Sequence, residues 1–177
     1  RSRLKAEGVR HEHHYPSKTT DHRLLSWEDH FGRSPAEAEA KVKAQVQKYL
    51  DQGYKAGWQW VGGTPGSTLQ LRMVVPAIAA HPSLGMPVWM NNIANLHCSS
   101  LHHYPGFSEL HGLPWPQENV NYQYTTKWGT GEDFSTEEMQ SIRKAQWQHA
   151  RGFDLQAGDL MVLDNYLVLH GRLAFPP

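Results

Sequence analysis

The chain lacks several features that would assign it to a protein class at once. It has a single cysteine, Cys98, so it forms no internal disulfide, and this favours a reducing intracellular compartment. Its 17 lysine and arginine residues balance 17 aspartate and glutamate residues, which leaves no charge excess of the kind that binds nucleic acid. No apolar run reaches the roughly 18–20 residues that cross a bilayer. These absences predict a protein with no nucleic-acid partner and no membrane span.

The length of 177 residues fits one domain spanning residues 1–177, long enough to bury a sizeable core. Both ends look cut. The chain starts at Arg1 without an initiator methionine or a recognisable leader sequence. It stops at Phe175-Pro176-Pro177, just past its most distinctive motif. The sequence therefore predicts a fragment of a longer polypeptide.

Residues 1–23 are polar and rich in histidine, with Arg-His-Glu-His-His at positions 10–14. In an extended segment His11 and His13 would share one face, which would suit a metal ion. No neighbouring strand with a carboxylate supports that interpretation, and the composition favours a solvated surface loop. We therefore expect a polar loop over residues 1–23.

A helix is predicted to begin after Ser34. Pro35 suits its first position, and Glu37 lies three residues after Ser34, as in a capping box. Gly53 is a plausible stop. The expected buried stripe consists of Val42, Val46, Tyr49 and Leu50.

A second capping box over residues 135–138 predicts a helix that continues to Gly152. Short strands are predicted where apolar and aromatic residues alternate or cluster between turns: over 58–61, 69–74, 87–92 and 120–125. The segment 97–117 contains four histidines and one cysteine but lacks the ligand spacing of a zinc site, so we expect a surface loop there.

The most distinctive stretch covers residues 158–172, Gly-Asp-Leu-Met-Val-Leu-Asp-Asn-Tyr-Leu-Val-Leu-His-Gly-Arg. Gly158-Asp159 predicts a turn, and the apolar run after it predicts a strand buried on both faces. A second apolar run follows Asp164-Asn165 and ends at His170. A histidine at the end of such a strand can be a metal ligand or an ordinary core residue, and spacing alone leaves both open.

The run GDLMVLDNYLVLHGRLAF resembles the C-terminal signature of the TauD/TfdA family of Fe(II)/2-oxoglutarate dioxygenases, the taurine-dioxygenase and clavaminate-synthase-like group. Weaker similarity extends back to about Trp27, through segments at 26–32, 76–82, 87–91 and 128–132. The resemblance implies a mainly β fold with flanking helices (α+β). This is a double-stranded β-helix, or jelly roll, of which the chain is expected to be the C-terminal portion, incomplete at both ends.

The resemblance also implies a site. His170 matches the second histidine of a 2-His-1-carboxylate triad, which leaves metal positions open for 2-oxoglutarate and oxygen. The first histidine and the carboxylate, normally a His-x-Asp or His-x-Glu pair, are not found and are expected upstream of Arg1. The arginine that binds 2-oxoglutarate is expected about ten residues beyond His170, past Pro177. Arg172 is too close and is expected to make a local pairing.

By the same resemblance, the substrate or cofactor pocket is expected to involve Trp89, Asn91, Asn165 and Arg172. Asn91 lies on the strand that in the family runs beside the active site. A buried asparagine must satisfy both its donor and its acceptor, and either a substrate or a neighbouring loop could do so.

Two functions remain open at this stage. The first is a dioxygenase that hydroxylates a small organic substrate, of which this chain alone is predicted to be inactive. The second is a non-catalytic subunit with the same fold and a structural or interaction role among protein partners in a larger assembly. A small β-rich binding module that matches by chance is a weaker third. The sequence does not specify the substrate.

Overall fold

The computed structural model describes residues 2–20, 24–89, 91–103 and 122–171, with the side chains of 101–103 excepted. In chain order its elements are α1 (Ser2–Glu7), β1 (Val9–Tyr15), α2 (Trp27–His30), α3 (Pro35–Asp51), β2 (Lys55–Trp60), a 3-10 turn (Val61–Gly63), β3 (Leu69–Val75), β4 (Ile78–Ala80), β5 (Pro87–Trp89), α4 (Ile93–Leu96), a second 3-10 segment (Cys98–His103), β6 (Tyr124–Trp128) and α5 (Thr136–His149).

The strands form two antiparallel sheets. The larger has the order β2-β3-β1-β6, so the N-terminal strand β1 is central and joins the β2–β3 hairpin to β6. Val9 is paired with Val75 on one side and with Trp128 on the other. The smaller sheet is the pair β4–β5. Sheets with helices packed on them agree with the expected α+β class.

The N-terminal region is structured, so the polar loop predicted over residues 1–23 is corrected. Residues 2–7 form a helix and residues 9–15 form the central strand. Composition is a poor guide here, because both faces of β1 carry polar side chains and the alternation is hidden. Pairing with strands on both sides satisfies the backbone and overrides weak local propensity.

Both hydrophobic clusters lie on one face of the larger sheet, by the alternation of side chains along its strands. The first cluster packs α2 and α3 against the sheet and contains Tyr15, Trp27, Phe31, Ala38, Val42, Val46, Trp60, Leu69 and Leu71. The second packs α4 and α5 against its other end and contains Val9, Ala77, Ile93, Ala94, Trp128, Phe134 and Met139. The opposite face of the sheet carries no member of either cluster.

The two long helices begin where the sequence predicts. Ser34 Oγ accepts a hydrogen bond from the Glu37 backbone, but the Glu37 carboxylate bonds the amide of Arg33 instead of closing the box. In α3 the buried side of the helix is Ala38, Val42 and Val46, with Tyr49 packed beside it. Leu50, expected in that stripe, is 44 % exposed.

Helix α5 has the complete capping box, since Ser135 and Glu138 each bond the other's backbone amide. It ends at His149, three residues before the predicted stop. Among the residues that the structure describes, no helix is both long and apolar enough to cross a membrane.

The surface loop predicted over 97–117 is wrong at its start. His97 and Cys98 are buried, at 0 % and 5 % exposure, and residues 98–103 form a 3-10 segment. His97 Nδ1 lies 2.8 Å from Ser99 Oγ, which also accepts a 2.6 Å hydrogen bond from Arg143 on α5. The hydrogen bond from Arg143 ties the segment to α5. Residues 104–117 lie outside the described part of the chain.

Candidate functional site

The C-terminal motif folds as a turn followed by an irregular segment. Gly158 has a φ of 95° and lies in the predicted turn, where the Asp159 carboxylate accepts a 2.8 Å hydrogen bond from the Gln156 amide. The predicted buried strand pair after it is corrected: residues 159–171 contain no strand, and Leu160 and Val162 are 89 % and 84 % exposed. A strand needs a partner for its backbone groups, and no described strand pairs with this segment.

A hydrogen bond and a ring contact join this segment to His81, which precedes Asp164 by 83 positions in the sequence. His81 Nε2 donates a 3.0 Å hydrogen bond to Asp164 Oδ2, and the ring of Tyr166 lies against His81 with centroids 5.4 Å apart. The other Asp164 oxygen accepts the Tyr166 amide at 2.9 Å. One carboxylate therefore both shapes the turn after the first apolar run and binds the loop between β4 and β5.

The environment of His81 explains the direction of that hydrogen bond. Its Nδ1 accepts from the backbone amides of Ser83 and Leu84, at 3.2 and 3.1 Å, so the ring proton of a neutral imidazole lies on Nε2. The side chain is buried. The hydrogen bond from His81, together with the Tyr166 amide, holds the pKa of Asp164 below its usual range.

His170 is exposed in the irregular end of the segment, so it is not the core histidine that the sequence left open. Within the described ranges, no three histidine, cysteine, aspartate or glutamate side chains are grouped so as to hold a metal ion. The described residues therefore do not by themselves fit the iron that the resemblance implies. Asn165 is exposed in the turn after Asp164. Arg172 lies outside the described residues.

Trp89 is the last residue of β5, and Asn91 lies two residues beyond it, outside the small sheet although it was expected on that strand. The Asn91 side-chain amide donates to the Ala77 carbonyl at 2.7 Å, and its oxygen accepts the Ile93 amide at 3.1 Å. Of the two interpretations left open, the structure thus shows Asn91 pairing with neighbouring backbone. The indole Nε1 of Trp89 is buried, with no acceptor among the described residues.

His81 is the residue of this region that the sequence analysis left without a role. The segment 76–82, which contains His81, and the run that contains Asp164 both belong to the family resemblance, but nothing in local spacing relates the two residues. A buried histidine next to a turn needs a partner for each ring nitrogen, and that requirement alone suggests a distant acceptor. Which acceptor it is depends on the tertiary fold.

Comparisons with known proteins found a relative and a matching family model. One relative is Dapdiamide synthesis protein DdaC of Enterobacter agglomerans, 28 % identical over 154 residues, which cover 85 % of this chain and 41 % of the relative. The chain thus spans less than half of that protein's length. No solved structure matches the 177-residue chain. The family model "Taurine catabolism dioxygenase TauD, TfdA family" matches residues 2–177, and the chain belongs to the TauD/TfdA dioxygenase family.

Proposed function

We propose that the protein carrying these 177 residues is an Fe(II)/2-oxoglutarate-dependent dioxygenase that hydroxylates a small organic substrate, built as a double-stranded β-helix. The observation that supports this most is the family match over residues 2–177, which includes the Gly-Asp, Asp-Asn and His-Gly-Arg elements of the C-terminal motif. Iron and 2-oxoglutarate supply the oxidising chemistry when bound, and the polypeptide positions them. A reducing intracellular compartment remains part of the proposal.

In this proposal His170 is one of the protein's metal ligands. Its imidazole is exposed and belongs to neither hydrophobic cluster, which leaves it accessible as a ligand. One imidazole is too few for the three-ligand triad that non-haem iron takes in such enzymes. The other ligands would come from residues outside 1–177, in keeping with the 41 % coverage of the relative.

The remaining assignments concern position. The His81–Asp164 hydrogen bond holds the start of the second apolar run against the β4–β5 loop, six residues before His170. That contact would set where His170 is presented. We assign Trp89, Asn91, Asn165 and Arg172 to the surroundings of the pocket, with Asn91 shaping it through its backbone contacts.

The test is anaerobic addition of Fe(II) and 2-oxoglutarate to the full-length protein, followed by the visible charge-transfer absorption of the iron chelate. We expect the absorption in the wild type and its loss in His170→Ala. His149→Ala, which removes an exposed histidine at the end of α5, is the matched control and should keep it. Absorption that survives His170→Ala would remove this residue from the metal.

A titration of the 177-residue chain alone adds a second check. We expect no tight one-to-one Fe(II) binding, because the described residues contain no three-ligand group. A folded full-length protein that gives no absorption with iron and 2-oxoglutarate would favour the alternative, a non-catalytic subunit with the dioxygenase fold that acts through protein partners.

A further inference from the structure

The face of the larger sheet that carries neither hydrophobic cluster is strongly polar. The pairing registers place Glu12 opposite Arg72 on β3 and opposite Thr125 on β6, and Arg10 opposite Lys127. We call this surface the polar face. Its strand residues are Arg10, Glu12, His14, Lys55, Gly57, Gln59, Gln70, Arg72, Val74, Thr125 and Lys127.

The polar face has an excess of positive charge although the whole chain has none. Four cationic side chains, Arg10, Lys55, Arg72 and Lys127, share it with a single carboxylate, Glu12. Like charges directly opposite one another, such as Arg10 and Lys127, destabilise a sheet unless anions offset them. Glu12 pairs with Arg10, and Asp133, which follows β6, pairs with Lys127 at 3.1 Å. No carboxylate among the described residues pairs with Arg72.

A row of hydrogen bonds fixes the polar side chains across the sheet. His14 Nδ1 donates to the Tyr122 carbonyl at 3.1 Å, so its Nε2 can accept from Gln70 at 2.9 Å. Burial lowers the pKa of His14, which agrees with this neutral form. Gln70 also donates to the buried Glu12 at 3.4 Å and accepts from Gln59 at 2.8 Å.

The row ends at Arg72, whose Nη1 donates to Gln59 Oε1 at 3.3 Å. Arg72 lies flat across β2 at Gly57, where a Cβ would be 3.4 Å from its Nε. Its Nε and Nη2 make no hydrogen bond within the described residues, and the side chain is partly exposed. The guanidinium of Arg72 thus has an accessible edge with two free N–H donors and no paired anion. Such an edge can donate two parallel hydrogen bonds to one carboxylate.

We propose that the polar face binds the carboxylate of a small organic anion through Arg72. The occupant is small because the accessible donors lie on one guanidinium edge within an otherwise fixed row of side chains. This binding site deepens the proposed function and rests on it in one respect, since the bound anion would be the substrate of the dioxygenase. The substrate class would then be organic acids. The binding itself requires neither iron nor turnover.

The test uses metal-free protein and succinate as the probe, followed by the backbone amide resonances of β3 and Gly57 in an NMR titration at constant ionic strength. We expect saturable shifts with succinate and none with succinamide, which has the same shape without the charges. Arg72→Gln should weaken apparent binding about tenfold, or about 1.4 kcal/mol. The affinity of Arg72→Lys for succinate should fall between that of the wild type and that of Arg72→Gln, because lysine keeps the charge but cannot donate two parallel hydrogen bonds.

Arg151→Gln is the matched control, since Arg151 is an exposed arginine just after α5. It should bind succinate as the wild type does, and all variants are first checked for an unchanged urea midpoint. Equal binding by Arg72→Gln and the wild type would overturn the proposal, as would equal shifts with succinamide or the absence of saturation. Because the titration contains no iron, its result is independent of whether the full-length protein forms the iron–2-oxoglutarate chelate.

Discussion

At the scale of single residues, Asp164 makes the hydrogen bond that joins the C-terminal motif to the β4–β5 loop. The apolar side chains around it are exposed, so burial contributes little to holding the segment in place. The charge-assisted hydrogen bond from His81 is instead the contact that ties it to the β4–β5 loop.

We therefore predict that Asp164→Ala releases the segment 159–171 and raises its rate of limited proteolysis severalfold, while the protection of β1 and β3 is unchanged. Exposed apolar residues offer ready cleavage sites once the backbone is mobile. Asp159→Ala is the control, because Asp159 accepts only a local bond, from the Gln156 amide. Equal cleavage rates in the two variants would show that the His81 contact does not hold the segment.

A second residue-scale prediction concerns Gly129, which follows β6 and packs directly on the end of α1. A Cβ at this position would overlap the Glu7 carbonyl oxygen, a backbone atom that has little freedom to move. We expect Gly129→Ala to lower the free energy of unfolding by about 1–3 kcal/mol, measured by urea unfolding. Gly152→Ala, where a Cβ would meet nothing within 4 Å, should stay within about 0.5 kcal/mol of the wild type.

At the scale of elements, α5 shows how far a local pattern determines a helix start. Its first turn is closed by Ser135 and Glu138, and the Glu138 carboxylate also accepts the Trp128 indole at 3.3 Å. We predict that Ser135→Ala costs about 0.5–2 kcal/mol of unfolding free energy. Ser141→Ala, at an exposed position inside the same helix, should be neutral or slightly stabilising in the same urea experiment. Equal effects at both positions would mean that the cap contributes nothing.

The elements also differ in how well the sequence predicts them, and the difference has a physical cause. The starts of α3 and α5 and the turn at Gly158 depend on side chains within four residues, so the local sequence contains their cause. The central strand β1 was expected to be a loop, because its polar residues on both faces become favourable only when β3 and β6 flank it. The opposite error occurred at residues 160–169, where an apolar run predicts a strand but no described strand pairs with it.

The same difference between local and tertiary causes holds for the candidate site. The identity of His170 as the residue to test came from the motif, whereas the partner of His81 could not be inferred, since 83 positions separate it from Asp164. The buried amide of Asn91 was recognised as needing two partners, and the structure shows that both are backbone groups. Sequence thus identified which polar groups required partners, and the fold determined which partners they found.

At the scale of the whole molecule, histidine burial sets the response to acid. The chain contains 12 histidines. Burial lowers the pKa of His13 to about 4 and that of His97 to about 3, and it also lowers the pKa of His11 and His14. Three of these four lie on the central strand β1, so their protonation would place positive charges together in the middle of the sheet.

Each of these pKa values lies below the value of 6.5 of an unfolded histidine, so the unfolded chain binds more protons than the folded one at mildly acidic pH. The stabilisation by the neutral rings is fully present above about pH 6.5 and is lost as the pH falls toward 4. The carboxyls whose pKa is lowered in the fold, such as those of Glu37 and Asp164, lose their contribution only below about pH 4.5. A change in the free energy of unfolding between pH 6.5 and 4.5 therefore arises from the histidines.

We predict that the free energy of unfolding in urea falls steadily between about pH 6.5 and 4.5, with roughly 2–3 kcal/mol of the total loss by pH 4 due to His13 alone. His13→Phe keeps a ring against Tyr124, whose centroid lies 4.8 Å away edge to face, and removes the titrating group, so it should flatten the slope. His149→Phe, at an exposed position that belongs to neither hydrophobic cluster, is the control and should leave the slope unchanged. If His13→Phe titrates as steeply as the wild type, the acid sensitivity does not come from His13.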